Sequence, residues 1–237
     1  MMSHRPASNA MRRAAYTTLS IGVVVFAVLV GAVQLGLTES FDRIVVLSLR
    51  NPEDLSDAWG PVWFQEAAAE LTALGGYPIV VLAVVIVLIA LLIARKTAAA
   101  VFLAVTLISG SVVSSLLKLF FNRARPDLVD RLDQTFTSSF PSAHAMLSMI
   151  AWLTLAAIAI RFIEMRRLRI YILIAAVILA LIIGSTRVYL GVHWPSDVIA
   201  GWAIGLAWAS GSWLVADKIA RHLSGRAERN EELGRSG

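Results

Sequence analysis

The sequence predicts an all-α membrane protein, a six-transmembrane-helix bundle with an extracytoplasmic amphipathic helical segment between helices 1 and 2. Three observations predict it. Hydrophobic residues make up 58% of the 237 and charged residues only 16%, against about 45–50% and 25% in soluble domains. The apolar residues gather into runs long enough to cross a hydrocarbon core about 30 Å thick. The basic residues, which give the chain a formal charge of +5, lie mostly beside those runs, where they mark topology. They do not form one basic domain, so the expected surroundings are a lipid bilayer, with no nucleic acid partner. The chain has no Cys, which excludes disulfides and thiolate metal sites.

Residues 1–16 form a basic cytoplasmic N-terminal segment, and 17–216 the membrane domain. The run 17–37 exceeds a signal-peptide core of about 7–15 residues and no A-x-A site follows, so it is read as an uncleaved first span. Residues 38–75 mix Asp42, Arg43, Arg50 and Glu53 with Trp59, Trp63 and Phe64, a pattern of interfacial amphipathic helices, broken at Asn51-Pro52 and Gly60-Pro61. Span two runs from about 78 to 94, span three from 98 to 119 and span four from 142 to 160. Span five begins at 170 and span six runs from 195 to 216. Residues 217–237 are expected to be a frayed cytoplasmic tail. There is no internal repeat of the kind found in many transporters.

Six spans put both termini on one side. Fourteen of the 21 Lys and Arg residues fall on that side and seven on the other, so the termini are expected inside, with the chain in a bacterial cytoplasmic membrane. This topology assigns one end of the membrane to every polar residue near a span. Lys118 and Arg125 fall at the outer end of span three, Ser142 and His144 at the outer start of span four, Arg187 at the outer end of span five, and His193 and Asp197 around the outer start of span six. Ionisable groups within spans cost a few kcal/mol each and persist where they pair or line a polar cavity. Seven converging on one face indicate a site.

Three cations beside two histidines suit a multiply charged anion, and phosphate is the leading ligand. Pro141, read in the first turn of the fourth helix, would leave free N–H groups and the Ser142 hydroxyl for a phosphate oxygen. Lys118 and Arg125 are seven apart, on one face if the helix persists; Pro126 stops it and biases Arg125 toward extended backbone. Pro195 makes one helix through His193 and Asp197 doubtful, yet the carboxylate can reach an imidazole at the helix mouth. Bonded to one ring nitrogen, it fixes the tautomer and frees the other lone pair to attack phosphorus. His144 is the natural proton donor to the leaving group and then the base that activates water. The cations stabilise the equatorial oxygens, without metal or other cofactor.

These residues resemble the three motifs of the type 2 phosphatidic acid phosphatases: Lys118-x6-Arg125-Pro126, Pro141-Ser142-Ala143-His144, and Arg187-x5-His193-x3-Asp197. The resemblance implies a six-helix bundle and metal-independent dephosphorylation through a phosphohistidine. It implies His193 as nucleophile, His144 as general acid, Asp197 as orienting partner, and Lys118, Arg125, Ser142 and Arg187 as phosphate ligands. Two positions depart from the family pattern. Ala143 stands where glycine is usual, which matters if the backbone there needs positive φ, and Thr186 stands where serine precedes the arginine.

The implied substrate is a membrane lipid phosphate, a prenyl diphosphate or a phosphatidyl phosphate. The competing class is a non-hydrolytic lipid or anion transporter using the same cations; a further alternative is a family member disabled by Ala143. Trp194, Trp202, Trp208 and Trp213 are read as interfacial anchors and packing, Gly201 and Gly205 as a close helix seam, and the basic link 161–169 as a topology signal. His4 and His222 receive no role.

Overall fold

Backbone groups in hydrocarbon must bond within their own segment, so the apolar runs can only be helices or a closed barrel, and the 3.6-residue option prevails. The computed structural model describes residues 9–133 and 137–235; His4 and the first half of the basic head lie outside them. Among the described residues, eight α-helices run in order: α1 (Asn9–Gln34), α2 (Glu39–Ser48), α3 (Val62–Ala73), α4 (Tyr77–Ile93), α5 (Thr97–Phe121), α6 (Ala143–Ala159), α7 (Arg166–Tyr189) and α8 (Pro195–Arg235). Five of the described helices are long and apolar enough to cross a membrane, or six when α3 and α4, bent by 46° at their junction, count as one span.

Two expectations change. The segment 38–75 is not helical throughout, because a small antiparallel hairpin, β1 (Arg50–Asn51) and β2 (Asp54–Ala58), separates α2 from α3. Pro52 removes a helical N–H, and the Asn51 carboxamide oxygen accepts from Glu53 N at 3.1 Å, a local turn bond that competes with helix. The last helix does not stop near 216 and fray but continues to Arg235. No proline interrupts it, and Asp217 accepts from Arg221 one turn on at 3.0 Å, across the expected boundary.

Helix α6 lies at the centre, packed against α5, α7 and α8, while α1 runs along α8. The α6–α8 seam is tight because of its glycines. A β-carbon added to Gly201 would fall 2.6 Å from the Ser142 carbonyl oxygen, and one on Gly205 2.7 Å from that of Met146. The tryptophans tie helices together, Trp202 donating to Ala180 O at 3.0 Å and Trp208 to Thr106 O at 3.3 Å. Large apolar side chains such as Ile93, Leu119 and Phe120 stay on the outer surface, as a lipid-facing belt requires. Arg12 bonds Asp217 at 2.9 Å and Thr18 pairs with Ser210 at 2.8 Å. The start of α1 therefore lies beside the far part of α8, and the starts of α6 and α8 share the opposite end of the bundle with the ends of α5 and α7.

Candidate functional site

Local sequence sets four helix ends there. Helix α5 stops because Asn122 adopts the left-handed conformation (φ 42°, ψ 38°), its N–H bonded back to Lys118 O at 3.1 Å; asparagine tolerates that region better than most residues. Arg125 is therefore not on the helical face of Lys118, as its spacing allowed, but in the irregular chain before Pro126. Helix α6 begins at Ala143 with Ser142 as N-cap, its hydroxyl accepting from Ala145 N at 3.5 Å. Pro141 thus precedes the cap and is not in the first turn. Ala143 is not among the positive-φ residues and packs on the apolar cluster with Met146 and Leu147, so its backbone conformation does not call for glycine. The Thr186 hydroxyl is spent on Ile183 O at 2.6 Å. After α7, Gly191 (φ 70°) turns the chain; a β-carbon there would fall 2.6 Å from the Arg50 guanidinium.

The fourth helix end joins helix start to site. Pro195 opens α8, and Asp197, three residues after Trp194, reaches back to accept from Trp194 N at 2.9 Å, the acidic half of a capping box. The same Oδ2 lies 3.4 Å from His193 Nδ1 and also accepts from the Ser139 hydroxyl. The other imidazole nitrogen, Nε2, stands 3.2 Å from Arg125 Nη1. His193 and Asp197 are 2% and 0% exposed. Burial pushes the His193 imidazole down to about 4, against the pull of Asp197 in the other direction. The ring is thus neutral at neutral pH, with Nδ1 facing a carboxylate and Nε2 facing a cation.

The cations converge on the same place. Lys118 donates to Ser138 O at 2.6 Å, and Arg125 to Thr137 O at 2.7 Å and Val192 O at 2.6 Å. Burial lowers Arg125 to about 10, with Arg187 adding to the effect, so it remains protonated. Arg187, 1% exposed, donates through Nη1 to Asp133 at 2.7 Å and Thr72 at 3.0 Å, while its Nε is buried without a partner among the described residues. Ser142 N donates to Asp197 O at 3.0 Å, which locks α6 to α8. His144 lies against the α3–α4 elbow: a β-carbon on Gly76 would be 3.7 Å from its Nε2. It sits within electrostatic range of Arg187, His193 and Lys118. All seven residues singled out from the sequence thus gather at one end of the bundle.

The sequence reading missed the residues that hold these seven in place. Ser139 and Arg123 bond Asp197, Asp42 bonds Arg123, and Asp133 and Thr72 bond Arg187. One signal was present. Arg123 and Arg125 are two apart in a segment bounded by Pro126, and a buried arginine always needs a carboxylate or carbonyl partner.

The model of the PAP2 superfamily matches residues 99–221. The chain is 26% identical over 187 residues to phosphatidylglycerophosphatase B of Bacillus subtilis, spanning 76% of this chain and 86% of that protein. It is 35% identical over 118 residues to a lipid A 1-phosphatase of Rhizobium johnstonii, spanning 46% and 44%. The crystal structure of a transmembrane PAP2 type phosphatidylglycerolphosphate phosphatase from Bacillus subtilis superposes with a TM-score of 0.74 at 24% identity, over 84% of this chain and 97% of that one, a likeness of fold.

Proposed function

The chain belongs to the PAP2 superfamily, and from that premise we propose that it hydrolyses a phosphate monoester or diphosphate on a membrane lipid by two successive transfers through His193. Its relatives include a phosphatidylglycerophosphatase and a lipid A 1-phosphatase, and phosphatase chemistry on a lipid is what they have in common. One observation carries the mechanism: the His193 ring stands between Asp197 at Nδ1 and Arg125 at Nε2. Asp197 accepts the Nδ1 proton, so the Nε2 lone pair faces the cations that would hold a phosphoryl group.

In the first step Nε2 forms a bond to the terminal phosphorus, and that phosphorus loses its bond to the leaving oxygen, which is the lipid alcohol oxygen of a monoester or the bridging oxygen of a diphosphate. The oxygen leaves with a proton from His144, since an alkoxide is a poor leaving group. In the second step His144 takes a proton from water, the hydroxide attacks phosphorus, and the P–N bond breaks to release inorganic phosphate and free His193. Lys118, Arg125 and Arg187, with Ser142, hold the equatorial oxygens, whose charge they neutralise in both steps. The Arg187 Nε, without a partner among the described residues, supports this assignment, because a buried donor without an acceptor is costly.

The basic residues near the chain termini support an orientation with the site at the extracytoplasmic face of a bacterial cytoplasmic membrane, the bundle crossing six times with α4 as its second span. The lipid tail then stays in the bilayer while the phosphate reaches the cations. The test is phosphate release from a panel of prenyl diphosphates, phosphatidyl phosphates and lipid A phosphates in detergent with EDTA, by the wild type and by His193→Ala. Turnover by the wild type and its loss in the variant are expected. Equal release by both would defeat the His193 mechanism, and binding or transport without release would favour the transporter class.

A further inference from the structure

We infer that Arg123, braced by Asp42, is a positioning residue for this reaction, and that helix α2 is thereby part of the catalytic machinery; the inference rests on the mechanism proposed above. Arg123 Nη1 donates to Asp197 Oδ1 at 2.6 Å and to Ser196 Oγ at 2.8 Å. Its Nη2 donates to Asp42 Oδ2 at 2.9 Å and to Thr38 Oγ1 at 3.4 Å. The guanidinium carbon also lies 5.8 Å from the Trp194 ring. Both terminal nitrogens are therefore committed to carboxylates and hydroxyls, which separates Arg123 from the three cations that face the phosphate position.

The geometry divides the labour of Asp197 between its two oxygens. Oδ2 serves His193, Trp194 N and Ser139, while Oδ1 is left to Arg123. Rotation of the carboxylate about its Cβ–Cγ bond would carry Oδ2 off the imidazole, and a charge-assisted bond on Oδ1 opposes that rotation. Arg123 also supplies the counter-charge that lets a carboxylate with 0% exposure stay ionised beside a neutral imidazole.

Asp42 completes the brace. It is 1% exposed on the same face of α2 as Val46, which is 0% exposed, and both point into the bundle. Its carboxylate accepts from Arg123, from Ser196 N at 2.9 Å and from Ser196 Oγ at 2.6 Å. One side chain from α2 thus holds the first turn of α8 and the arginine that aims Asp197. A buried ion pair adds little net stability as a rule, but one that fixes the rotation of a reacting group's partner changes rate.

The experiment compares kcat and KM on a lipid phosphate that the wild type turns over, for Arg123→Gln, Arg123→Lys and Asp42→Asn, with Lys118→Ala and His193→Ala alongside. Loss of one charge-assisted bond predicts that Arg123→Gln lowers kcat about 10- to 100-fold. Its KM should stay within about threefold of wild type, because no phosphate ligand is lost. Arg123→Lys should recover part of kcat, and Asp42→Asn should lower kcat by a smaller factor at unchanged KM. Folded Arg123→Gln with wild-type kcat overturns the inference, as does a raised KM at wild-type kcat, the signature of lost uniform binding. Should Arg123→Gln fail to fold, wild-type kcat in Asp42→Asn and Arg123→Lys together overturns it. Equal activity of His193→Ala and wild type would instead defeat the mechanism itself, whatever Arg123 does.

Discussion

Asp197→Asn keeps the volume of the side chain and removes its charge, and the neighbours of each oxygen dictate how the amide must sit. The Oδ1 position receives a 2.6 Å bond from Arg123, a donor only, so the carboxamide oxygen of the variant must stay there. Its NH2 group then occupies the Oδ2 position, opposite Trp194 N–H and His193 Nδ1. Two donors meet at Trp194, and the imidazole must accept at Nδ1, which moves its proton to Nε2. The nitrogen facing Arg125 thereby loses its lone pair. Restoring the reactive tautomer means turning the amide away from Arg123, at about 1.5–3 kcal/mol for a bond to a charged group. The transition state also loses a carboxylate beside an imidazole becoming positive, a similar amount. Together these give about 3–6 kcal/mol, or roughly 10²- to 10⁴-fold in kcat. KM should change by less than about threefold, since Lys118, Arg125 and Arg187 remain. The assay is initial-rate phosphate release by detergent-purified protein, with thermal unfolding to show that the variant is folded. A folded variant that loses less than tenfold in kcat would refute the tautomer reasoning.

Because burial holds His193 at about 4, the ring keeps its lone pair down to that pH. The acid limb of kcat/KM, corrected for a substrate phosphate ionisation near about 6, should therefore fall well below the ordinary histidine value of about 6.5. A limb at 6.5 would contradict a buried neutral imidazole. Ala143→Gly should keep kcat within about threefold, because the backbone at the first position of α6 does not need positive φ; a sharp gain in phosphate release would instead mark Ala143 as inhibitory. Gly201→Ala places a methyl 2.6 Å from Ser142 O and 2.9 Å from the Ala145 β-carbon. It should destabilise by about 1–3 kcal/mol and raise KM by displacing Ser142, measured by thermal unfolding and phosphate release; wild-type values for both would show that the seam yields.

What the sequence made legible came from strong local rules. Apolar runs separated by basic links become helices whose ends are fixed by bilayer thickness, so the gathering of Lys118, His144, Arg187 and His193 could be read from topology. The reach of Asp197 to His193 could be read as well, although the capping bond to Trp194 N that fixes it was not. What escaped depended on tertiary context. Asp42 looked like one acid in a polar interfacial stretch, and only the docking of α2 on α8 buries it. Ser139 and Asp133 lie in a loop without periodicity, where no pattern distinguishes a partner from a solvated side chain. The end of α5 could be read to within a few residues, but the spacing of Lys118 and Arg125 fits a helix equally well, so the side of that end on which Arg125 lies stayed open. The hairpin at 50–58 was missed because its turn bonds come from side chains, which hydrophobic patterning ignores.

The carboxylate that starts α8 is also the one that aims His193. Fraying of a single helical turn would release Asp197 from Trp194 N and from the imidazole in the same event, while the rest of the bundle stayed intact. Heat or denaturant should therefore silence the protein before it melts: inactivation should run ahead of the loss of helix signal, and a ligand that occupies the cations should draw the two curves together.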